Sequence, residues 1–181
     1  MPKSEAHALL LTGPPGVGKT TALRRAAEQL SGLKIRGFTT EEIRESGQRA
    51  GFRIETFDGD NAVLAHVSIR SPHRVGKYGV DLAALDRVAA DQFSKSRGDV
   101  VLLDEIGKME TLSRNFVDTV ESILDSPVVL VATVGLRGEG FIEAVKRRPD
   151  VMIWTVSRSN RDRMPAEVAD WVRQTLGKGQ R

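Results

Sequence analysis

The 181-residue chain contains no cysteine. Disulfide scaffolds, thiolate metal sites and cysteine nucleophiles are thereby excluded. Histidine is scarce as well: His7, His66 and His73 are scattered, without metal-ligand spacing, and read as ordinary surface or structural residues. No apolar stretch is long, and Val128 to Ala132 is far too short to cross a bilayer. Neither sign of charge dominates. The 27 Lys+Arg against 24 Asp+Glu leave a net +3, which does not by itself point to nucleic acid. Internal repeats, low-complexity tracts and dividing linkers are also missing. The opening MPKSEAHALLLTG runs straight into a functional motif and does not read as a signal peptide. A cytoplasmic protein off the membrane is expected.

What is present is ordinary globular composition, 40% hydrophobic and 28% charged, enough for one core. Residues 1–181 are expected to form a single domain. Short apolar runs at Ala8 to Leu11, Val100 to Leu103, Val128 to Val134 and Val151 to Val156 predict buried strands. Between them, Lys19 to Leu30, Asp81 to Ser94, a stretch from Leu112 to Leu124, and Gly140 to Arg148 predict helices. In the third of these, Leu112, Phe116, Val117, Val120, Ile123 and Leu124 predict a core-facing stripe. A last helix carries Val168, Trp171, Val172 and Leu176 on one face, so Trp171 is expected to pack rather than stack on a base. Residues 34–70 differ, with strand-like segments joined by Glu45-Ser46-Gly47 and Asp58-Gly59-Asp60 turns, and predict a small antiparallel insertion. The remainder predicts an α/β fold with a mostly parallel sheet and helices on both faces.

The first apolar strand ends in Gly13-Pro14-Pro15-Gly16-Val17-Gly18-Lys19-Thr20 and a helix follows. This is the phosphate-loop pattern G-x-x-x-x-G-K-[ST] in its strand–loop–helix context. A triphosphate needs many donors at close range, and a glycine-rich loop opening a helix supplies backbone N–H groups. Pro14 and Pro15 have none to offer, so donation is expected from Gly16 through Thr20. Lys19 adds a point charge on the β and γ phosphates, and the Thr20 hydroxyl is a Mg²⁺ ligand.

The second element is Val100-Val101-Leu102-Leu103-Asp104-Glu105. It has the form of a Walker B strand, delivering acids to the carboxyl edge where ligands bind in open α/β sheets. Asp104 is the second expected Mg²⁺ ligand, and Glu105 is placed to orient or deprotonate the attacking water. Asp104-Glu105-Ile106-Gly107 also fits the D-x-x-G of regulatory GTPases, but no guanine-reading N-K-x-D follows.

These residues resemble the THEP-type nucleoside-triphosphatases, also called cancer-related nucleoside-triphosphatases, across essentially the whole chain. The resemblance rests on TGPPGVGKTT (12–21), GFTTEEIRESGQRAGF (37–52), VGKYGVDL (75–82) and DEIGKME (104–110). It implies slow, base-tolerant, Mg²⁺-dependent hydrolysis of ATP, GTP, CTP and UTP to the diphosphate and phosphate. It implies the RecA-like, glutamate-dependent branch of the P-loop NTPase fold, with an extra strand between the two Walker strands. Gly13 to Thr20 and Val100 to Gly107 would carry the nucleotide, Glu105 would act as catalytic acid/base, and Asn160-Arg161 would lie near the base.

Several residues keep two readings. Lys108 either lends charge to the γ-phosphate or is a solvated lysine. Arg137, Arg148 and Arg161 follow strands ending at the ligand edge and are arginine-finger candidates against a surface-residue reading. Thr133 is a γ-phosphate sensor or simply a β-former, and Lys146-Arg147-Arg148 reads as a helix C-terminal charge complement. A small-molecule or nucleotide kinase is the alternative function, with the 34–70 insertion as a pocket wall, and a non-catalytic nucleotide-binding module is a third. Nucleoside triphosphates are the expected partners, nucleic acid is not, and a monomer is expected.

Overall fold

The structure is a computed structural model that describes residues 6–94 and 98–178. Residues 1–5 of the opening segment read above for a signal peptide lie outside them. Nine strands form one sheet among the described residues. In chain order they are β1 (Ala8–Thr12), β2 (Ile35–Glu45), β3 (Gln48–Thr56), β4 (Asn61–His66), β5 (Arg74–Val75), β6 (Tyr78–Val80), β7 (Val100–Ile106), β8 (Val129–Val134) and β9 (Val151–Thr155). Their order across the sheet is β5-β6-β4-β3-β2-β7-β8-β1-β9. From β2 to β9 the pairing is parallel, and from β2 outward to β5 it is antiparallel. β8 pairs with both β1 and β7. The two strands carrying the motifs are thus separated by one strand, the RecA-like arrangement of the P-loop NTPase fold.

Alternation along β1 shows how the core divides. Leu9 and Leu11 pack with Leu23 and Ala26 of α1 (Lys19–Gln29) and with Val168 and Val172 of α5 (Met164–Lys178). Ala8 and Leu10 face the opposite cluster. That cluster holds Leu85 and Val88 of α2 (Leu82–Ser94), Phe116 and Val120 of α3 (Arg114–Leu124), and Ile142 and Val145 of α4 (Phe141–Lys146). A strand buried on both faces must be apolar at every position, which is why the central strands read as continuous runs.

The expected insertion is not a separate lobe. Ile35 to Phe38 of β2 pair in parallel with Val100 to Leu103 of β7, and the same strand then continues outward to pair with β3. One long strand therefore belongs to both parts, and the antiparallel extension runs on past residue 70 through β5 and β6. Gly37 marks the closest approach: a Cβ there would lie 1.9 Å from the Leu102 carbonyl oxygen.

Two expectations fail. Val151 to Val156 predicts a buried strand, yet β9 lies at the sheet edge, pairing only with β1, with Met152 and Ile153 37% and 41% exposed. Hydropathy reports which side chains are apolar, not how many neighbours a strand acquires. Leu112, expected in the α3 stripe, precedes the helix in a short 3-10 turn (Glu110–Leu112) and is 39% exposed. Ser113 starts the helix by accepting from the Phe116 N–H at 3.0 Å. Trp171 packs against the α1–α5 cluster as expected.

Candidate nucleotide-binding site

The chain leaves β1 at Thr12 and turns through Gly13 (φ 154°), Gly16 (φ 73°) and Gly18 (φ 112°). A Cβ on Gly13 would stand 2.5 Å from the Val156 carbonyl oxygen, so no side chain fits where the loop passes the end of β9. Gly18 caps α1 in a left-handed conformation and no side chain accepts from the helix's first N–H groups. Those donors, with the positive end of the helix dipole, remain for an anion. Lys19 folds back over the loop, its Nζ donating to the carbonyl oxygens of Gly13 (3.1 Å) and Pro14 (3.4 Å).

β7 supplies the acids from a bulge. Leu103 stands opposite Ala132 and Ile106 opposite Val134, so β7 carries one more residue than β8 in this interval. The peptide between Asp104 and Glu105 is cis. Asp104 is 2% exposed and its carboxylate collects hydroxyl donors from three elements. Thr20 Oγ1 donates to Oδ2 at 2.9 Å, Thr40 Oγ1 to the same oxygen at 3.4 Å, and Thr133 Oγ1 to Oδ1. Such bonds allow a buried carboxylate to persist without a cationic partner.

Glu105 faces the same space. Burial, then the neighbouring Asp104 charge, pushes its carboxyl above the usual range, and Lys19 partly offsets this. Beyond it lies Glu110, 4% exposed. Burial, reinforced by Glu105 and Asp104, pushes its carboxyl up to about 8, while backbone N–H groups of Glu110 and Gly107 pull the other way. The two glutamates flank Gly107, at which a Cβ would stand 2.7 Å from Glu105 Oε1 and 2.8 Å from Glu110 Oε2. Sequence reasoning gave Glu110 no role although it closes the DEIGKME segment. The sequence carries no local signal for it: Glu110 stands between Met109 and Thr111 and reads like any acid in a turn.

One cavity of about 960 Å³ joins these groups. Its lining runs from the phosphate loop, including Lys19 and Thr20, past Asp104, Glu105 and Glu110, to Lys108 and Arg137. Val17 and the apolar strand residues Val100, Val101, Leu102, Leu103 and Ile106 lie behind it as buried support. Arg161 lines a separate, smaller concavity with Arg25, Asp162 and Pro165, which Gly18 and Thr21 share with the main cavity. Asn160 instead braces its own loop, Oδ1 accepting from the Ser157 N–H and Nδ2 donating to the Thr155 carbonyl oxygen, both at 2.8 Å. Arg148 is taken away from the site by Asp150 and Asp125, each at 2.8 Å. Lys146 is tied to Glu143 and to the Leu136 carbonyl oxygen near the C-terminus of α4.

A family profile described as NTPase matches residues 8–169. "Nucleoside-triphosphatase THEP1" of Thermotoga sp. (strain RQ2) is 40% identical over 95% of this chain and 99% of that protein. The human "Cancer-related nucleoside-triphosphatase" is 35% identical over 94% and 98%. The chain belongs to the THEP1-type nucleoside-triphosphatase family. Solved structures of this family share the fold. The human cancer-related nucleoside triphosphatase superposes with a TM-score of 0.79 at 34% identity, covering 94% of this chain and 98% of that one. THEP1 from Aquifex aeolicus gives 0.75 at 32%, covering 91% and 98%. As a nucleoside-triphosphatase, the enzyme places its phosphate loop and acid pair at the carboxyl edge of one sheet. Among its described residues no helix is long and apolar enough to cross a membrane.

Proposed function

We propose that this nucleoside-triphosphatase hydrolyses the γ-phosphate of nucleoside 5'-triphosphates with Mg²⁺, broadly across ATP, GTP, CTP and UTP, giving the diphosphate and phosphate, within a single domain. The observation that carries this is the convergence of Lys19, Thr20, Asp104 and Glu105 from two separated strands onto one cavity.

The donor set suits a hard cation. Thr20 Oγ1 and Asp104 Oδ2 are oxygen ligands 2.9 Å apart, and the described residues hold no group of three or more His, Cys, Asp or Glu able to cage a metal. Mg²⁺ is typically held in this way, by one or two protein oxygens with water and substrate phosphates completing the shell. When bound, it supplies neutralisation of charge on the β- and γ-phosphate oxygens. The protein's own residues do the rest. Backbone N–H groups from Gly16 to Thr20 hold the phosphates, and Lys19 exchanges its loop carbonyls for phosphate oxygens. Glu105 orients the attacking water and takes its proton, a role that its raised affinity for protons favours. Lys108 and Arg137, exposed at the rim, are placed to meet charge developing on the γ-phosphate. Arg161, which lines the smaller concavity beside Gly18 and Thr21, would lie on the nucleoside side.

The reading rests on phosphate release from the four triphosphates without any acceptor, compared between the enzyme and Glu105→Gln. Loss of a general base lowers turnover by about 10²–10⁴-fold. Equal rates in the two proteins would overturn the assignment of Glu105.

A further inference from the structure

The two edges of the sheet are finished differently. β5, at one end, is two residues long. One of them is Arg74, whose guanidinium donates to the Lys77 carbonyl oxygen at 2.7 Å, so shortness and charge blunt that edge. β9, at the other end, is Val151-Met152-Ile153-Trp154-Thr155, without charge or proline and in unbroken register with β1. Met152 stands beside Leu9 and Ile153 beside Leu10, so the two lie on opposite faces of the strand, and both are exposed. Natural sheets rarely leave such an edge open, because a row of unpaired N–H and C=O groups is a template for another strand.

The backbone shows which groups remain on that edge. In a parallel ladder, alternate residues turn both N–H and C=O toward the same neighbour. The Val156 N–H donates to the Thr12 carbonyl oxygen at 2.7 Å, so Met152 and Trp154 also address β1, and Val151, Ile153 and Thr155 face outward. Two of the outward groups are satisfied within the chain. The Val151 N–H donates to the Arg148 carbonyl oxygen at 3.4 Å, and the Thr155 carbonyl oxygen accepts from Asn160 Nδ2 at 2.8 Å. The Val151 carbonyl, both groups of Ile153 and the Thr155 N–H are left without a partner among the described residues. That remainder is self-complementary. In an antiparallel pair turned about Ile153, the two Ile153 residues exchange both bonds, and each Thr155 N–H meets the other copy's Val151 carbonyl. The bond this arrangement omits, from Val151 N–H to Thr155 carbonyl, joins the two groups already satisfied. The same register sets Ile153 against Ile153 and Met152 against Trp154, a cross-strand thioether–aromatic contact.

We infer that β9 is the seam of a two-fold homodimer, in which a second copy of this chain continues the sheet antiparallel across Ile153. This departs from the monomer expected from the sequence. No unmatched charge is desolvated along the strand: β9 has none, and Arg148 just before it is paired with Asp150 and Asp125. A two-fold contact uses the same patch on both copies, so it closes after one addition and yields a dimer rather than a fibre. A single five-residue seam lies at the small end of specific interfaces, so its dissociation constant should be on the order of 10–100 μM.

Sedimentation velocity on the full chain from about 5 to about 500 μM brackets that range. Residue-resolved hydrogen exchange at both ends of the series locates the seam. The Ile153 and Thr155 amides should exchange at least about threefold more slowly at the high concentration, whereas the Trp154 amide, bonded to β1, should not change. Ile153→Pro deletes an outward N–H that the fold itself does not use, at an edge position where proline is tolerated. It should raise the dissociation constant at least about tenfold while phosphate release is retained. Ile153→Lys keeps the backbone and adds the charge that natural edges carry, so it decides the matter if the proline variant does not fold. A monomer throughout the series, a dimer whose Ile153 and Thr155 amides gain no protection, or an unaltered dissociation constant in the folded variants overturns the seam. So does growth beyond the dimer, which would mean strand pairing without the two-fold axis.

Discussion

Thr20 and Asp104 are 84 positions apart in the chain, and Thr20 Oγ1 donates to Asp104 Oδ2 at 2.9 Å. That bond joins the first turn of the nucleotide helix to the acid bulge of β7. It is the point at which two separately readable motifs become one site. Four further consequences are open to direct measurement, beside the acid–base test of Glu105.

Asp104 depends on its hydroxyl donors because it is buried and makes no ion pair among the described residues. Thr133→Val keeps the shape of the β8 side chain and removes the donor to Oδ1. An unpaired buried acceptor costs about 1–3 kcal/mol, so the melting temperature should fall measurably. An unchanged melting curve would show that Thr133 contributes nothing to holding the acid.

Lys19 is the one cation placed on the phosphate loop itself, bonded to the Gly13 and Pro14 carbonyl oxygens. Lys19→Ala removes a charged contact of about 1.5–3 kcal/mol, roughly a ten- to hundredfold rise in the Kd for a triphosphate. Calorimetric titration with ATP checks this. Retained tight binding would argue against the loop as the phosphate cradle.

Gly107 separates Glu105 from Glu110, and any Cβ there collides with both carboxyls. Gly107→Ala should therefore displace the base while leaving the phosphate loop intact. Displacement of a reacting group by about 1 Å can lower the rate on the order of 100-fold, so kcat should drop with little change in nucleotide affinity. A kcat within twofold of the parent would mean that the two carboxyls can move apart freely.

Glu110 gives a stability signature. Its folded pKa of about 8 stands above the ordinary carboxyl value of 4.5, so between those values the folded state holds a proton that the unfolded state has released. The contribution is fully present below pH 4.5 and is lost as pH rises to about 8, a few kcal/mol in all. Glu110→Gln should flatten the fall in stability across that window in denaturant titrations. An equal slope in both proteins would show that Glu110 is not held neutral.

Much of this was legible in the chain. The phosphate loop is readable because a local run of backbone, Gly13 to Lys19, makes the site, and local geometry is written in local residue types. The acids at Asp104 and Glu105 are readable because the strand before them is apolar at every position. The positions of the helices and central strands follow from the periodicity of buried side chains. By contrast, Glu110 looks like any acid in a turn. Its burial arises from α2 and the surrounding core, which are close only after folding.

Sequence alone therefore determined the chemistry available: which groups can bind a phosphate chain, which can hold a divalent cation, and which can accept a proton. Tertiary structure alone decided how those groups are arranged and what stands beside them. It placed β8 between the two motif strands, left β9 at the edge, and made residues 35–80 a continuation of the main sheet that walls a chamber. These depend on long-range strand pairing and on the dielectric of a folded interior. Neither is carried by any short stretch of residues.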